Sequence, residues 1–349
     1  MKQSTRRVLA ALTGLSTLGL VGCGNPRDGL SPRVSNLATE TGRVSLALSV
    51  SDENGEPVAL NKKTTTAEVE ARDASGRWQV LRDVTLAFQG PALIDVVVVA
   101  DNSGSQREFL ELMEDSIEHH AQRIINDAHR DRVGLVRVST KAKVLSELTT
   151  STENFSTALG EMFISNGWTA LWDGVRTANE VLARGALSLA GRHEQKEQVS
   201  SEFCLDRAHR AVVVFTDGAD NNSADEHETR YRGDGIDTTL EDLLDANISG
   251  TQVPVHAIGV GDEVDRASLE QLALETGGTY RPIEHFESLH GVLESTAATL
   301  RYEVPVCFTL PGCNFDRVRA NVEVQTDSGL QAFEVELSLP SEYCSSEVE

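Results

Sequence analysis

The sequence is poor in positive charge. Its 349 residues carry 31 Lys and Arg against 54 Asp and Glu, a formal net charge of −23. Such a surface repels nucleic acid and anionic lipid, which argues against a direct nucleic-acid role. Most of the surplus carboxylates keep the surface soluble, and few can serve a site. Catalytic signatures are also missing: there is no H-E-x-x-H, no Ser-His-Asp set and no phosphate loop. Asp101 follows an apolar run as a phosphoaspartate nucleophile would, but such sites usually need a second Asp two residues on, and Ser103 stands there. The chain therefore does not read as an enzyme. Five cysteines include no C-x-x-C pair and no His at ligand spacing, which removes a cysteine metal site. With 40% hydrophobic and 24% charged residues the chain is ordinary globular material, long enough for two domains.

The start stands apart. Lys2, Arg6 and Arg7 precede an apolar run from Val8 to Val21, too short to span a bilayer as a permanent helix, and the run ends Leu20-Val21-Gly22-Cys23. This resembles the bacterial lipobox, which implies cleavage before Cys23 and diacylglycerol on its thiol. Thr5-Arg6-Arg7-Val8-Leu9 partly resembles a twin-arginine signal, so either export route is open. Residues 1–22 are expected to be a signal peptide. Residues 23–42, rich in Gly, Pro, Ser, Asn and Arg, are expected to be a lipidated, flexible tether. The expected location is the cell envelope, lipid-anchored to a membrane, with outer membrane and leaflet left open. Export predicts an oxidising compartment, where Cys204, Cys307, Cys313 and Cys344 allow three pairings. Cys307 and Cys313 flank the turn signal Pro311-Gly312, so the preferred pairing is Cys307–Cys313 with Cys204–Cys344.

Period-two alternation begins at Val44, Leu46, Leu48 and Val50, recurs over Thr66 to Arg72, and gives a third strand over Trp78 to Phe88, broken near Asp83. From Pro91 the pattern changes. Strands over Asp95–Ala100, Val133–Val138, Lys143–Leu148, Ala211–Phe215 and Val253–Val260 alternate with helical stretches from Ser105, Phe155, Ala170, Asp237, Asp265 and Phe286. This predicts an α/β fold: a doubly wound, mostly parallel sheet covered on both faces. After Arg301 alternating strands return over Val304–Phe308, Arg319–Gln325 and Gln331–Leu339. Each flank alone has few strands and open edges. The expected organisation is therefore an α/β unit, residues 91–300, inserted in a small antiparallel sandwich built from 43–90 and 301–349.

Three stretches carry the chemistry. Asp101-Asn102-Ser103-Gly104-Ser105 follows the first buried strand. Asn166-Gly167-Trp168-Thr169-Ala170 precedes the long helix. Phe215-Thr216-Asp217-Gly218-Ala219-Asp220-Asn221 follows the Ala211–Val214 strand. All sit at strand ends or helix starts, so one edge of the sheet can gather them. Their hydroxyls and carboxylates are hard oxygens, suited to a hard cation.

Read together, D-x-S-x-S, Thr169 and Asp217 resemble the von Willebrand factor A domain with its metal-ion-dependent adhesion site, over roughly residues 92–300. The resemblance implies Asp101, Ser103, Ser105, Thr169 and Asp217 as ligands, direct or through water, of Mg²⁺ (Mn²⁺ or Ca²⁺ as alternatives). It also implies a protein partner whose Asp or Glu takes the open position, in adhesion or as a component of an envelope assembly. The family usually has Gly where this chain has Trp168. Either the Thr169 loop is reshaped, or Trp168 points outward beside the metal as a partner contact. Helix capping by the serines and Thr169 is the competing account. Among weaker signals, His119-His120 are adjacent and do not share a helix face, so they are not read as ligands. Asp220 to Asp225 lacks the Gly and Glu of a calcium loop and reads as a solvated loop. Gly259-Val260-Gly261-Asp262 lacks the third Gly of a dinucleotide fingerprint. Leu171 and Trp172 read as core, and residues 191–210 as a polar surface insertion.

Overall fold

The computed structural model describes residues 30–339 apart from 41, 53–54, 89–92, 126–130, 164–167, 194–208, 224–237, 249–252 and 327–328. The signal stretch, Cys23, Cys204, Cys344 and most of the 191–210 insertion lie outside the described residues.

The centre of the α/β unit is β6, Ile94–Asp101, whose eight residues are all buried. It pairs in parallel with β7 (Arg132–Val138) on one side and β9 (His209–Thr216) on the other. β10 (Val255–Val260) and β11 (Tyr280–Ile283) extend the parallel sheet, and β8 (Ala142–Thr149) closes the other edge antiparallel, giving the order β11-β10-β9-β6-β7-β8. A strand between two strands presents both faces to helices, which is why β6 reads Val-Val-Val-Val rather than alternating. Val96, Val98 and Ala100 face α1 (Leu110–Ile124), α2 (Thr152–Leu159) and α6 (Leu289–Tyr302). Val97 and Val99 face α3 (Leu171–His193), α4 (Leu240–Ile248) and α5 (Arg266–Thr276). The fold is the expected doubly wound α/β sheet.

The flanking strands form two antiparallel sheets over one shared core. One has the order β1-β2-β12-β5: Ser31–Glu40, Arg43–Ser51, Val304–Thr309 and Thr85–Leu86. The other has the order β14-β13-β3-β4: Gly329–Ser338, Phe315–Thr326, Thr65–Asp73 and Trp78–Val80. Each sheet takes strands from both flanks, β12 lying between β2 and β5 and β13 beside β3, so neither flank has a sheet of its own.

Three features depart from the sequence reading. Residues 31–40, expected within the tether, form β1, because Val34 and Leu37 bury into the sandwich core and the backbone pairs with β2. The single strand expected over Trp78 to Phe88 is two, and they belong to different sheets: β4 pairs with β3, and β5 with β12. β11 has only four residues and contains Pro282, which is tolerated at a sheet edge.

Polar contacts join the two units. Arg33 donates to the Gly278 carbonyl, and Asn36 accepts from the Arg210 backbone N–H at 2.8 Å. Glu303 accepts from Ser35 (3.2 Å) and bonds His209 Nδ1 (2.7 Å) in a buried cluster. Ser295 donates to Glu56 at 3.1 Å.

Candidate metal centre

Asp101 is the last residue of β6 and is fully buried. Its Oδ1 accepts the Ser103 N–H at 3.0 Å and its Oδ2 accepts the Thr216 hydroxyl at 2.6 Å. The turn brings Ser103 Oγ and Ser105 Oγ to 3.1 Å of each other, and Ser105 donates to Asp217 Oδ1 at 2.9 Å. Asp217 follows β9, the neighbour of β6, so parallel pairing alone delivers both carboxylates to the same sheet edge. The chain therefore brings Asp101, Ser103, Ser105 and Asp217 into one linked set.

Neither carboxylate forms an ion pair among the described residues. Burial, the largest cause, pushes Asp101 up to about 6 despite the hydrogen bonds from Thr216 and Ser103, and Asp217 adds repulsion. Burial likewise raises Asp217, with repulsion from Glu263 a lesser cause. The opposite end of β6 differs sharply. There Asp95 is buried against Arg132 with two bonds of 2.7 Å, and Asp131 pairs with Arg301 at 2.6 Å. Those acids are compensated by the protein itself. The two at the carboxyl end are not.

Thr169 sits one loop away and is buried. Its N–H donates to Asn221 Oδ1 (2.8 Å), and its carbonyl accepts the Asn221 N–H (3.0 Å), so it is fastened to the loop bearing Asp217. Capping does not explain the hydroxyl residues. Ser103 precedes a 3₁₀ turn without making a side-chain capping bond, and the first turn of α3 is capped from another loop. There Asp220 Oδ1 accepts the N–H groups of Leu171 (2.6 Å) and Trp172 (3.2 Å). The 220–223 stretch is thus no solvated loop. Ser223 donates to Asp220 at 2.5 Å and accepts from the Asp173 N–H at 3.2 Å, and Asn222 and Ser223 are buried. Residues 224 and 225 lie outside the described residues.

All three loops hang on one turn. The carbonyls of Val138, Ser139 and Thr140, at the end of β7 and just past it, accept from Asn102 N–H (2.8 Å), Ala170 N–H (2.8 Å) and Asn222 Nδ2 (2.7 Å) respectively. Three consecutive backbone acceptors hold the three motifs. Sequence reading had no signal for this, because backbone carbonyls have no residue signature. Thr216, Asp220 and Asn221 were also missed as positioning residues, although they stand inside or beside the third motif.

Trp168 needs no unusual backbone. Asn36 is the one non-glycine residue with positive φ among those described, and Trp168 is 42% exposed, pointing outward rather than straining the loop. Phe163, 56% exposed, lies nearby in the scaffold: its carbonyl accepts from Asn102 Nδ2 and its ring carries the Arg137 guanidinium at 4.2 Å. Gly261 closes β10 with φ 76°, so the Gly259–Asp262 stretch is a strand-end turn. Leu171 and Trp172 are core, as expected.

The von Willebrand factor type A domain model matches residues 95–295, more than half of the chain. The chain belongs to that family. Among solved structures, the type A domain here is similar to proximal thread matrix protein 1 from the mussel byssus, with 19% identity and a TM-score of 0.43, covering 61% of this chain and 49% of that one. The chain thus spans about half the length of the mussel protein, which has also been solved with a zinc-occupied MIDAS motif. A von Willebrand factor type A protein from Catenulispora acidiphila gives 13% identity and a TM-score of 0.43, over 92% of this chain and 76% of that one. BatB from Bacteroides thetaiotaomicron gives 15% and 0.39, over 59% and 98%. No curated protein matches the sequence closely enough to count as a relative.

Proposed function

We propose that this chain is a membrane-anchored envelope lipoprotein that binds a protein partner through a divalent cation held by Asp101, Ser103, Ser105, Thr169 and Asp217. The observation that carries this reading is the linked set Asp101, Ser103, Ser105 and Asp217, whose two desolvated carboxylates have no cationic partner among the described residues. The donor set fits a hard ion: two carboxylates and neutral hydroxyls suit Mg²⁺, with Mn²⁺ or Ca²⁺ as alternatives. Bound there, the cation supplies a Lewis-acidic position for an anionic oxygen from outside the chain. The chain's own part is to hold the oxygens at fixed spacing. Thr216 orients Asp101, the Val138–Thr140 carbonyls fix the loops, and Asp220 fixes the start of α3 behind Thr169. Trp168 offers an exposed aromatic surface beside Thr169 for a partner to cover. The same arrangement serves adhesion or a scaffold role in an envelope complex.

The test is capture of partner from an envelope extract in Mg²⁺ and in EDTA. Recovery in Mg²⁺ alone, lost in Asp101→Ala, is expected. Equal recovery in EDTA would overturn the reading.

Anchoring rests on the lipobox-like Leu20–Cys23 and, for an oxidising compartment, on the disulfide-bonded state of Cys307 and Cys313. Cys23→Ser is expected to move the protein from the membrane pellet to the soluble fraction. A variant that still sediments with membranes would show that something other than a lipid holds it there.

A further inference from the structure

A second cluster of metal-ligating side chains lies away from the loops at the sheet's carboxyl edge. On α1, His120 turns inward, fully buried with Nδ1 bonded to the Leu293 carbonyl at 2.9 Å, so its neighbour His119 turns outward across the seam with α6. There His119 meets His290, ring centroids 4.1 Å apart. Glu294 lies one helical turn beyond His290 on the same face of α6. One ligand atom from each of His119, His290 and Glu294 falls within 4.8 Å of the others, and all three residues are half-buried. The adjacency argument made from sequence was sound for His119 and His120. The second imidazole comes instead from another helix.

We propose that His119, His290 and Glu294 form a second metal site, for a borderline transition ion such as Zn²⁺. Two imidazoles and one carboxylate are the donor types that Zn²⁺ takes in three-ligand sites that keep an open fourth position. The set contrasts with the all-oxygen first site and so selects a different class of ion. Half-burial leaves an entry path.

Arg123 occupies the position now. Its Nη2 bonds Glu294 Oε1 at 2.5 Å, and its Nε donates to His119 Nε2 at 3.3 Å. The second contact makes Nε2 the acceptor, so His119 presents the lone pair a metal needs, with its proton on Nδ1. A guanidinium so close competes with any cation for both groups. Its side chain is 55% exposed and can leave for solvent. The site is therefore gated by its own arginine, and removing that charge should tighten it. Loaded, the ion would staple α1, which follows the Asp101–Ser105 motif, to α6, which runs directly into β12.

Zn²⁺ calorimetry on the purified full chain tests this, with the first site silenced either by Asp101→Ala or, in the unsubstituted protein, by saturating Mg²⁺. One equivalent of Zn²⁺ is expected to bind under either condition. His290→Ala should abolish it. Arg123→Gln should tighten it roughly tenfold and raise Tm on Zn²⁺ addition. Binding that survives His290→Ala unchanged, no Zn²⁺ uptake with the first site silenced, or an Arg123→Gln variant no tighter than its parent would each overturn the assignment.

Discussion

Asp101→Asn will lower Mg²⁺ affinity by on the order of a hundredfold or more, yet leave the metal-free protein at least as stable at pH 7 as its parent. The two outcomes share one cause. The Asp101 carboxylate is fully buried without a cationic partner among the described residues, and burial raises it from 3.8 to about 6. A carboxyl raised in the folded state contributes stability that is fully present below its unfolded value and is lost as pH rises through the folded one. This group alone should therefore favour the metal-free fold on acidification from pH 7 towards pH 4, by a few kcal/mol at most, while the buried His120 and His256, lowered to about 4 and about 3 by burial, act in the opposite direction. Asparagine has no charge to desolvate. It keeps an acceptor for the Ser103 N–H, and the Thr216 hydroxyl can accept from the new amide instead of donating. Melting curves in EDTA across this range should show the stability advantage of Asp101→Asn over the parent shrinking as pH falls. Saturating Mg²⁺ should remove the Asp101 contribution from the parent's slope, because the charge then has its counterion. A parent whose slope is the same in EDTA and in Mg²⁺ would separate Asp101 from metal binding.

Gly277→Ala is expected to destabilise the fold by about 3 kcal/mol or more, far from the loops that carry the site. Two costs combine. Gly277 ends α5 with φ 81°, a left-handed cap that L side chains adopt at a penalty. A β-carbon there would also lie 2.4 Å from the Val34 carbonyl oxygen, backbone of β1 that cannot swing aside. Gly76 provides the control. It has nearly the same φ, 82°, in the β3–β4 turn with nothing within 4 Å of its added β-carbon, so Gly76→Ala should cost only about 1 kcal/mol. Urea denaturation of the two variants isolates the clash. Equal losses would mean that β1 does not press on α5 in solution.

The sequence was most legible where burial is two-sided. The run Val96–Val99 can only be a strand with helices above and below, and once it ends in Asp101 the sheet edge is located. Ser103, Ser105, Thr169 and Asp217 then follow from the resemblance to the type A domain, and three of these four meet Asp101 in the linked set. β1 was illegible because its apolar residues are Val34 and Leu37 amid Pro, Ser, Arg and Asn. Its register comes from β2, not from its own pattern. The role of Asp220 was hidden for another reason. It caps a helix whose first residues lie about fifty positions earlier, and no local spacing reports a cap supplied from so far. The metal-ligand cluster on α1 and α6 was unreadable in the same way, since His119 and His290 are adjacent only across a helix seam.

The α/β unit leaves the sandwich after β5 and returns through β12, and these two strands pair with each other at Leu86 and Val306. The unit therefore stands on two legs set side by side in one sheet. A single linker would let it swivel freely. Two adjacent strands oppose rotation about the mount, so a force applied at the loop end would reach the sandwich as tension and bending rather than as spin.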